Sequence, residues 1–375
     1  MNQMFLLLFS WVLTSYAISQ PQNNLETELE SLLQKELSAD EPGGSVLVKK
    51  GDSIICLKSY GIEDLTTGKK ITENTLFNTG SISKTFVANG ILILNERGML
   101  SLDDHIYKYF PDFDNSDLAK KITIKHLLSH TSGLPDSRNV KDNAEYYLTA
   151  KDEENFEPLK RSDSLNYESG ARFQYSNPAY NGLALIIEKV SNQPWQDFIK
   201  DNIFRPAGMA ESTITNGPHP QTGVAHAYVK DENGQFMEYD YGEFPTFAAA
   251  GNGGVWSSVL ELAKYETALQ TNVFLREALT KESRSIYHPE NWTDTLPPFV
   301  GYSWFLDERS LFETSHFDVD LIYHTGSQGG FRAFYITIPE KDILFIGLFN
   351  KPLENFRKLI YEAMSLFEKN HWLGQ

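Results

Sequence analysis

Apolar positions along this chain keep two different rhythms. In NNLETELESLLQKEL (23–37), Leu25, Leu29, Leu32 and Leu33 recur at helical spacing and predict an amphipathic helix. The stretch PGGSVLVKKGDSIICLKSYGIED then reads as two strands joined at Lys50-Gly51-Asp52, a β-hairpin. The middle of the chain is helical. FVANGILILNERGML keeps apolar spacings of three to four and stops at Gly98, and ITIKHLLSHTSGLP is a short helix closed by Gly133 and Pro135. NPAYNGLALIIEKVSNQ (177–193) is a long amphipathic helix, and GNGGVWSSVLELAKYETALQ is a glycine-rich turn followed by another. The final third changes period: YSWFL, IYHTG, FRAFYITIP and ILFIGLFN are short bursts of strand character. LENFRKLIYEAMSLFEKN closes the chain as a helix.

Strands from both ends with helices between them predict an α+β protein. Its antiparallel sheet is drawn from about residues 24–79 and 255–375, is flanked by the terminal helices, and carries an all-helical subdomain over about 80–254. A groove between insert and sheet is the expected place for a substrate.

At 375 residues, 41% hydrophobic and 22% charged, the composition is that of a globular protein with a large core. The net charge of −17 argues against nucleic acid or an anionic membrane surface as a partner. The first residues differ from the rest. An apolar run from Met4 to Leu13 precedes the small residues Ser15, Ala17 and Ser19, which predicts a signal peptide over 1–19 and an exported protein, periplasmic or extracellular. The segment lacks the usual early Lys or Arg, and a retained membrane anchor is the alternative. Once cleaved, the chain is expected to have no integral membrane span. Cys56 is the only cysteine, so neither an intramolecular disulfide nor a structural zinc site can form; it reads as a buried, inert thiol.

The candidate chemistry starts at Ser81-Ile-Ser-Lys84, at the head of an apolar helical run. Positions i and i+3 share a helix face. A serine hydroxyl becomes a nucleophile when a base takes its proton, and a desolvated lysine amine can do that. Two further elements follow in order: Tyr175-Ser-Asn177, 94 residues on, and His324-Thr-Gly326, another 149 residues on and followed by Ser327-Gln-Gly-Gly330.

With these three elements, and with LFNTGSISKTF, ITIKHLLSHTSGLP, GARFQYSNPAYNGLALIIEKV and YHTGSQGGFRAFYITIPEK in the same order, the chain resembles the serine β-lactamase and penicillin-binding-protein-like hydrolases, in their class C and DD-peptidase branch. The resemblance covers roughly residues 24–368 and implies a β-lactamase/transpeptidase-like fold with its site between a sheet domain and a helical one. It makes Ser81 the acylated nucleophile, Lys84 the group that helps remove its proton, and Tyr175 the proton shuttle. Asn177 is implied to bond the substrate amide and Lys84, and the backbone N–H groups of Ser81 and Ser327 to form an oxyanion hole. Thr325 and His324 line the substrate site, with Arg332 as an extra anchor for a carboxylate.

His324 departs from the β-lactamase pattern, which has lysine there. An unperturbed imidazole is mostly neutral at neutral pH, so part of the positive field is lost and the rest should depend on pH. Histidine at this position resembles the DD-peptidase, D-aminopeptidase and esterase branches. The expectation is an exported serine hydrolase acting by acyl transfer on D-amino-acid peptides, small amides or esters, with no metal and no cofactor. A class C-like β-lactamase and a non-catalytic relative that binds peptides or cell-wall fragments are the alternatives.

Other features have quieter readings. His126 and His130 have the spacing of a helical metal pair without the carboxylate of H-E-x-x-H, and are expected to be structural. Gly251–Gly254 lacks the P-loop Lys and is expected to serve backbone packing. The charged stretch 151–161 reads as a solvated surface, and Tyr146, Tyr147 and Phe247 are aromatic candidates for the pocket wall.

Overall fold

The computed structural model describes residues 22–140, 142–143, 146, 150–215, 220, 223–239, 250–306, 311–312 and 317–374. The expected leader, Tyr147 and Phe247 lie outside the described residues. A helix α1 (Gln22–Glu36) leads into strands β1 (Gly44–Lys50) and β2 (Ser53–Tyr60). The helical layer includes α2 (Ser83–Glu96), α3 (Asp152–Lys160), α4 (Asn177–Ser191) and α5 (Val259–Gln270). Strands β3 (Ile322–Gln328), β4 (Phe331–Ile338) and β5 (Ile343–Phe349) and helix α6 (Phe356–Lys369) complete the chain.

The five strands form one sheet in the order β3-β4-β5-β1-β2, every neighbouring pair antiparallel. The N-terminal hairpin therefore docks beside the last strand, as expected for an antiparallel sheet built from both chain ends. Gly51 has φ +55° in the β1–β2 turn, the left-handed conformation that tight hairpins need.

The two-residue period of a strand sends alternate side chains to opposite faces. Along β5, Ile343, Phe345 and Phe349 join Val46, Val48, Phe334 and Ile336 on an outer face, where they meet Leu25, Leu29 and Leu33 of α1 and Ile360, Met364 and Phe367 of α6. Leu344, Ile346 and Leu348 face the other way and join Leu47 and Tyr335 against the helical layer, including Phe86, Ile91 and Leu183. Each such side chain contributes about 1.5–3 kcal/mol when fully buried. Gly347 breaks the outer row because the Phe334 ring fills that space: an added Cβ would lie 2.5 Å from it.

Three local expectations need correction. YSWFL is not a strand; only Phe305 forms isolated bridges, to Val300 and Tyr323. The glycine-rich stretch is a helical turn (Ala250–Gly253) leading into a short strand, Val255–Ser257, which pairs with Phe77–Asn78 and Thr213–Ile214. The charged stretch 151–161 is not simply a solvated surface, since α3 buries Asp152, Asn155, Phe156 and Leu159. Cys56 is buried in β2, and desolvation pushes its thiol up to about 12. Among the described residues no helix is long and apolar enough to cross a membrane.

Candidate active site

Ser81 sits in a single turn of 3₁₀ helix, Gly80–Ile82, that feeds α2, and Lys84 is the second residue of α2. The turn is fixed from several sides. Asn78 Oδ1 accepts from Gly80 N at 2.8 Å, while Asn78 Nδ2 donates to Gly253 O at 3.0 Å. Thr79 Oγ1 donates to Val255 O at 2.9 Å, and Val255 N donates to Ser83 Oγ at 3.0 Å. With the backbone held there, the i, i+3 relation brings Lys84 Nζ to 3.0 Å from Ser81 Oγ.

Lys84 is fully buried. Its second partner is the Asn252 carbonyl, which accepts from Nζ at 2.6 Å. The expected bond to Asn177 is not made: that place on the amine is taken by a backbone oxygen from the Ala250–Gly253 turn. Among the described residues no carboxylate is a partner of the amine. Burial, reinforced by the Arg138 guanidinium, pushes it well below the ordinary lysine range.

Tyr175 lies one residue before the N-cap of α4, where Ser176 Oγ accepts from Ala179 N at 3.3 Å. Its ring lies 5.2 Å from Lys84 Nζ, and its hydroxyl bonds Ser81. Burial raises the phenol while the Ser81 bond works against that rise. The residue is 37% exposed and lines the groove, so water there moderates the upward push. Burial thus disfavours both the ammonium form of Lys84 and the phenolate form of Tyr175.

His130 is structural, and its place is directly against Tyr175. It adopts φ 58°, packs on Tyr175 in a tilted contact with ring centroids 4.4 Å apart, and accepts the Ser176 N–H on Nδ1 at 3.1 Å. It thereby sets both the plane of the tyrosine and the start of α4, a role its sequence spacing did not signal. His126 caps its own helix by accepting from Thr123 N at 3.1 Å, so the two histidines form no metal pair. Among the described residues no group of three His, Cys, Asp or Glu side chains could hold a metal ion.

The opposite wall is β3. Tyr323 N donates to Phe305 O, so the strand alternation turns the N–H of Ser327 to that same side, away from β4 and towards the Ser81 turn. Glycines permit the close approach. A Cβ on Gly80 would lie 2.6 Å from Ser327 N, and one on Gly326 would lie 2.0 Å from Thr79 O. The Ser81 turn and the Ser327 amide thus approach each other across a glycine-lined seam, where the amides of Ser81 and Ser327 are the candidate donors of an oxyanion hole.

His324 is buried, and its Nδ1 donates to the Thr325 carbonyl at 2.6 Å. Desolvation and the neighbouring Lys84 lower it to about 3. It is therefore neutral across the physiological range, which corrects the expectation of a pH-dependent charge in the groove. Arg332 is half-buried, with Nη1 donating to Gly329 O and Phe331 O at 2.7 Å each.

These groups open into one cavity of about 410 Å³ lined by Ser81, Tyr175, His324, Thr325, Ser327 and Arg332. Phe305, Tyr323 and Phe356 give it an apolar flank, and Arg357 of α6 adds a second cation. Sequence reasoning missed Arg357 because it reads as one more polar position on a terminal helix. Tyr146, which is exposed, is not among the lining residues.

The site therefore gathers a serine, a buried amine held below the ordinary lysine range, a phenol and candidate backbone donors, the parts needed for acyl transfer. The comparisons agree with that chemistry. The Beta-lactamase family model matches residues 28–365, and the chain belongs to that family, as a serine hydrolase of mixed α and β structure. It is 30% identical over 341 residues to Penicillin-binding protein 4* of Bacillus subtilis, covering 88% of this chain and 72% of that one. It spans 66% of the length of curated relatives from Staphylococcus aureus. The octameric penicillin-binding protein homologue from Pyrococcus abyssi superposes with a TM-score of 0.74 at 26% identity, over 92% of this chain and 77% of that one. D-amino acid amidase from Ochrobactrum anthropi shares the fold, with a TM-score of 0.72 at 20% identity over 93% and 99% of the two chains.

Proposed function

We propose that the protein is an exported hydrolase that forms an acyl-enzyme at Ser81 from D-amino-acid peptides, amides or esters and releases the acyl group to water. One observation carries this reading: the Lys84 amine is fully buried, has no carboxylate partner among the described residues, and lies 3.0 Å from Ser81 Oγ. In the reaction, the Ser81 proton passes to Lys84 as Oγ bonds the substrate carbonyl carbon. The resulting oxyanion lies between the amides of Ser81 and Ser327, donors of a kind worth about 2.7–4 kcal/mol each. Tyr175 gives its proton to the departing amine or alkoxide as the old bond breaks, and Lys84 restores it. Water then repeats the sequence on the ester, and Ser81 recovers its proton.

The name of the Bacillus relative supports reaction with penicillin, and the name of the amidase supports a D-amino-acid acyl group. With His324 neutral, Arg332 and Arg357 are the cations facing the groove, and a substrate carboxylate would pair with them. A dedicated β-lactamase is the weaker reading because the position between Ser81 and Arg332 carries no charge. Export is supported by the apolar run Met4–Leu13 and the small residues after it.

The test is hydrolysis of matched D- and L-alanyl anilides and thioesters, with benzylpenicillin alongside. The expected result is turnover that favours the D series, is slow for penicillin, and vanishes in Ser81→Ala. Turnover retained in Ser81→Ala, or no turnover by a folded wild type, would overturn the proposal.

A further inference from the structure

We propose that Asp152 is a positioning residue of this active site, holding the Asn252 carbonyl on Lys84 through two hydrogen-bonded routes. This inference rests on the acyl-transfer reading and adds to it a group 68 residues from Lys84 in sequence.

Asp152 is the first residue of α3 and is 5% exposed. Its Oδ1 accepts from Asn181 Nδ2 at 2.5 Å and from Gly251 N at 3.0 Å. Its Oδ2 accepts from the Trp195 indole N–H at 3.0 Å. Among the described residues no ion pair balances the charge, and desolvation pushes the carboxyl up to about 7 against the pull of those three bonds. A buried carboxyl kept without a cation is costly, and the reason for keeping it should be found in what it touches.

Both routes end at the same backbone oxygen. In the first, Asn181 gives its amide N–H to Asp152, so its Oδ1 faces away and accepts from Asn252 Nδ2 at 2.7 Å. In the second, Asp152 grips the amide of Gly251, the residue directly before Asn252. The Gly251–Asn252 unit is thus held at backbone and side chain, and its carbonyl meets Lys84 Nζ at 2.6 Å. Gly251 allows the approach: a Cβ there would lie 2.7 Å from Ala184 Cβ, 2.9 Å from Asp152 Oδ1 and 3.0 Å from Tyr180 O.

All three partners of Asp152 are donors, so an acceptor-only carboxylate satisfies them and an amide cannot. In Asp152→Asn the new NH₂ faces a donor in either orientation: set against the Trp195 N–H it pushes the side chain off its two routes, and turned the other way it meets Asn181 and Gly251 and cuts both. Removing that indole donor should relieve the conflict.

The experiment measures the single-turnover acylation rate and the half-saturating concentration with a D-alanyl thioester. It compares wild type, Asp152→Asn, Trp195→Phe and the double variant, with melting temperatures in parallel. Asp152→Asn is expected to slow acylation tenfold or more with little change in half-saturation. The double variant is expected to return to within threefold of wild type although it is no more stable than the single one. A purely structural role predicts the opposite, a double variant that is worse than either. Should Asp152→Asn fail to fold, Asn181→Leu cuts the first route alone and is expected to slow acylation tenfold. A wild type that acylates beside an unchanged Asp152→Asn, an unrescued double variant, or an unchanged Asn181→Leu overturns this inference alone. A folded wild type that does not acylate overturns it together with the proposed function.

Discussion

The two faces of the central sheet are both covered and are built on different principles. The outer face, under α1 and α6, is almost wholly apolar: Phe334, Ile336, Phe345 and Phe349 meet leucines, isoleucine, methionine and phenylalanine. The inner face carries buried polar groups in fixed geometry. Tyr335 and Thr337, which alternate with Phe334 and Ile336 on β4, both bond Glu266 of α5. Glu266 also holds Arg284 through a two-point ion pair at 2.6 and 2.9 Å. Further along the same face lie Lys84 and the His324 imidazole, buried groups whose charged forms desolvation disfavours. Hydrophobic burial is non-directional, so the outer face tolerates volume-conserving change. Polar groups in a dry interior are satisfied only at particular angles and distances. The chemistry sits on the face where geometry is already enforced.

Changes on the two faces should therefore separate activity from stability. Lys84→Met is expected to lower the acylation rate by about 10²–10⁴-fold, the usual worth of a positioned base. Because it removes an amine that burial already disfavours, the melting temperature should hold or rise; a large drop would show that Lys84 is a structural anchor. Phe345→Ala, on the outer face, should do the reverse. It should cost about 3–5 kcal/mol in denaturant unfolding and leave kcat/KM of the folded enzyme within about twofold.

Acid should find the inner groups first. His126 and His324 are lowered to about 4 and about 3, so between those values and about 6.5 the unfolded chain binds more protons than the folded one. Their contribution to stability is complete above about 6.5 and is lost as pH falls through the folded values. Unfolding midpoints measured from pH 7 to pH 4 should fall, less so in His126→Gln; equal slopes in the two proteins would contradict the assignment. The smallest effect is one of shape. Acylation needs the neutral amine, so its rate should climb with pH and level off well below the ordinary lysine value. A rate still rising tenfold per unit at pH 10 would mean that Lys84 is an ordinary, charged lysine.

The same contrast explains what could be read from the sequence. The outer face follows from periodicity: Leu25, Leu29, Leu32 and Leu33 at helical spacing, and strands that alternate in β4 and β5. Ser81 and Lys84 were legible because three residues of helix bring them together locally. The inner polar groups were not, because each depends on partners distant in sequence. Asn252 takes the place expected for Asn177 from 168 residues beyond Lys84, and α3 buries Asp152 against Asn181, Trp195 and Gly251 although its surroundings read as a charged surface. His324 loses its expected titration to burial and to Lys84, and His130 gains its contact with Tyr175 from a left-handed backbone that no spacing announces. Phe305 was expected in a strand and instead bridges Val300 and Tyr323 singly, since the residues around it pair with no neighbouring strand.

The most direct measurement is the intact mass of wild type and Ser81→Ala after brief exposure to benzylpenicillin, a fluorophosphonate and a D-alanyl thioester. Peptide mapping of any adduct and assay of each reagent's hydrolysis would accompany it. The account predicts a single adduct on the peptide carrying Ser81, or rapid turnover in its place, and neither in Ser81→Ala. An adduct at another residue, or one that persists in Ser81→Ala, would contradict it.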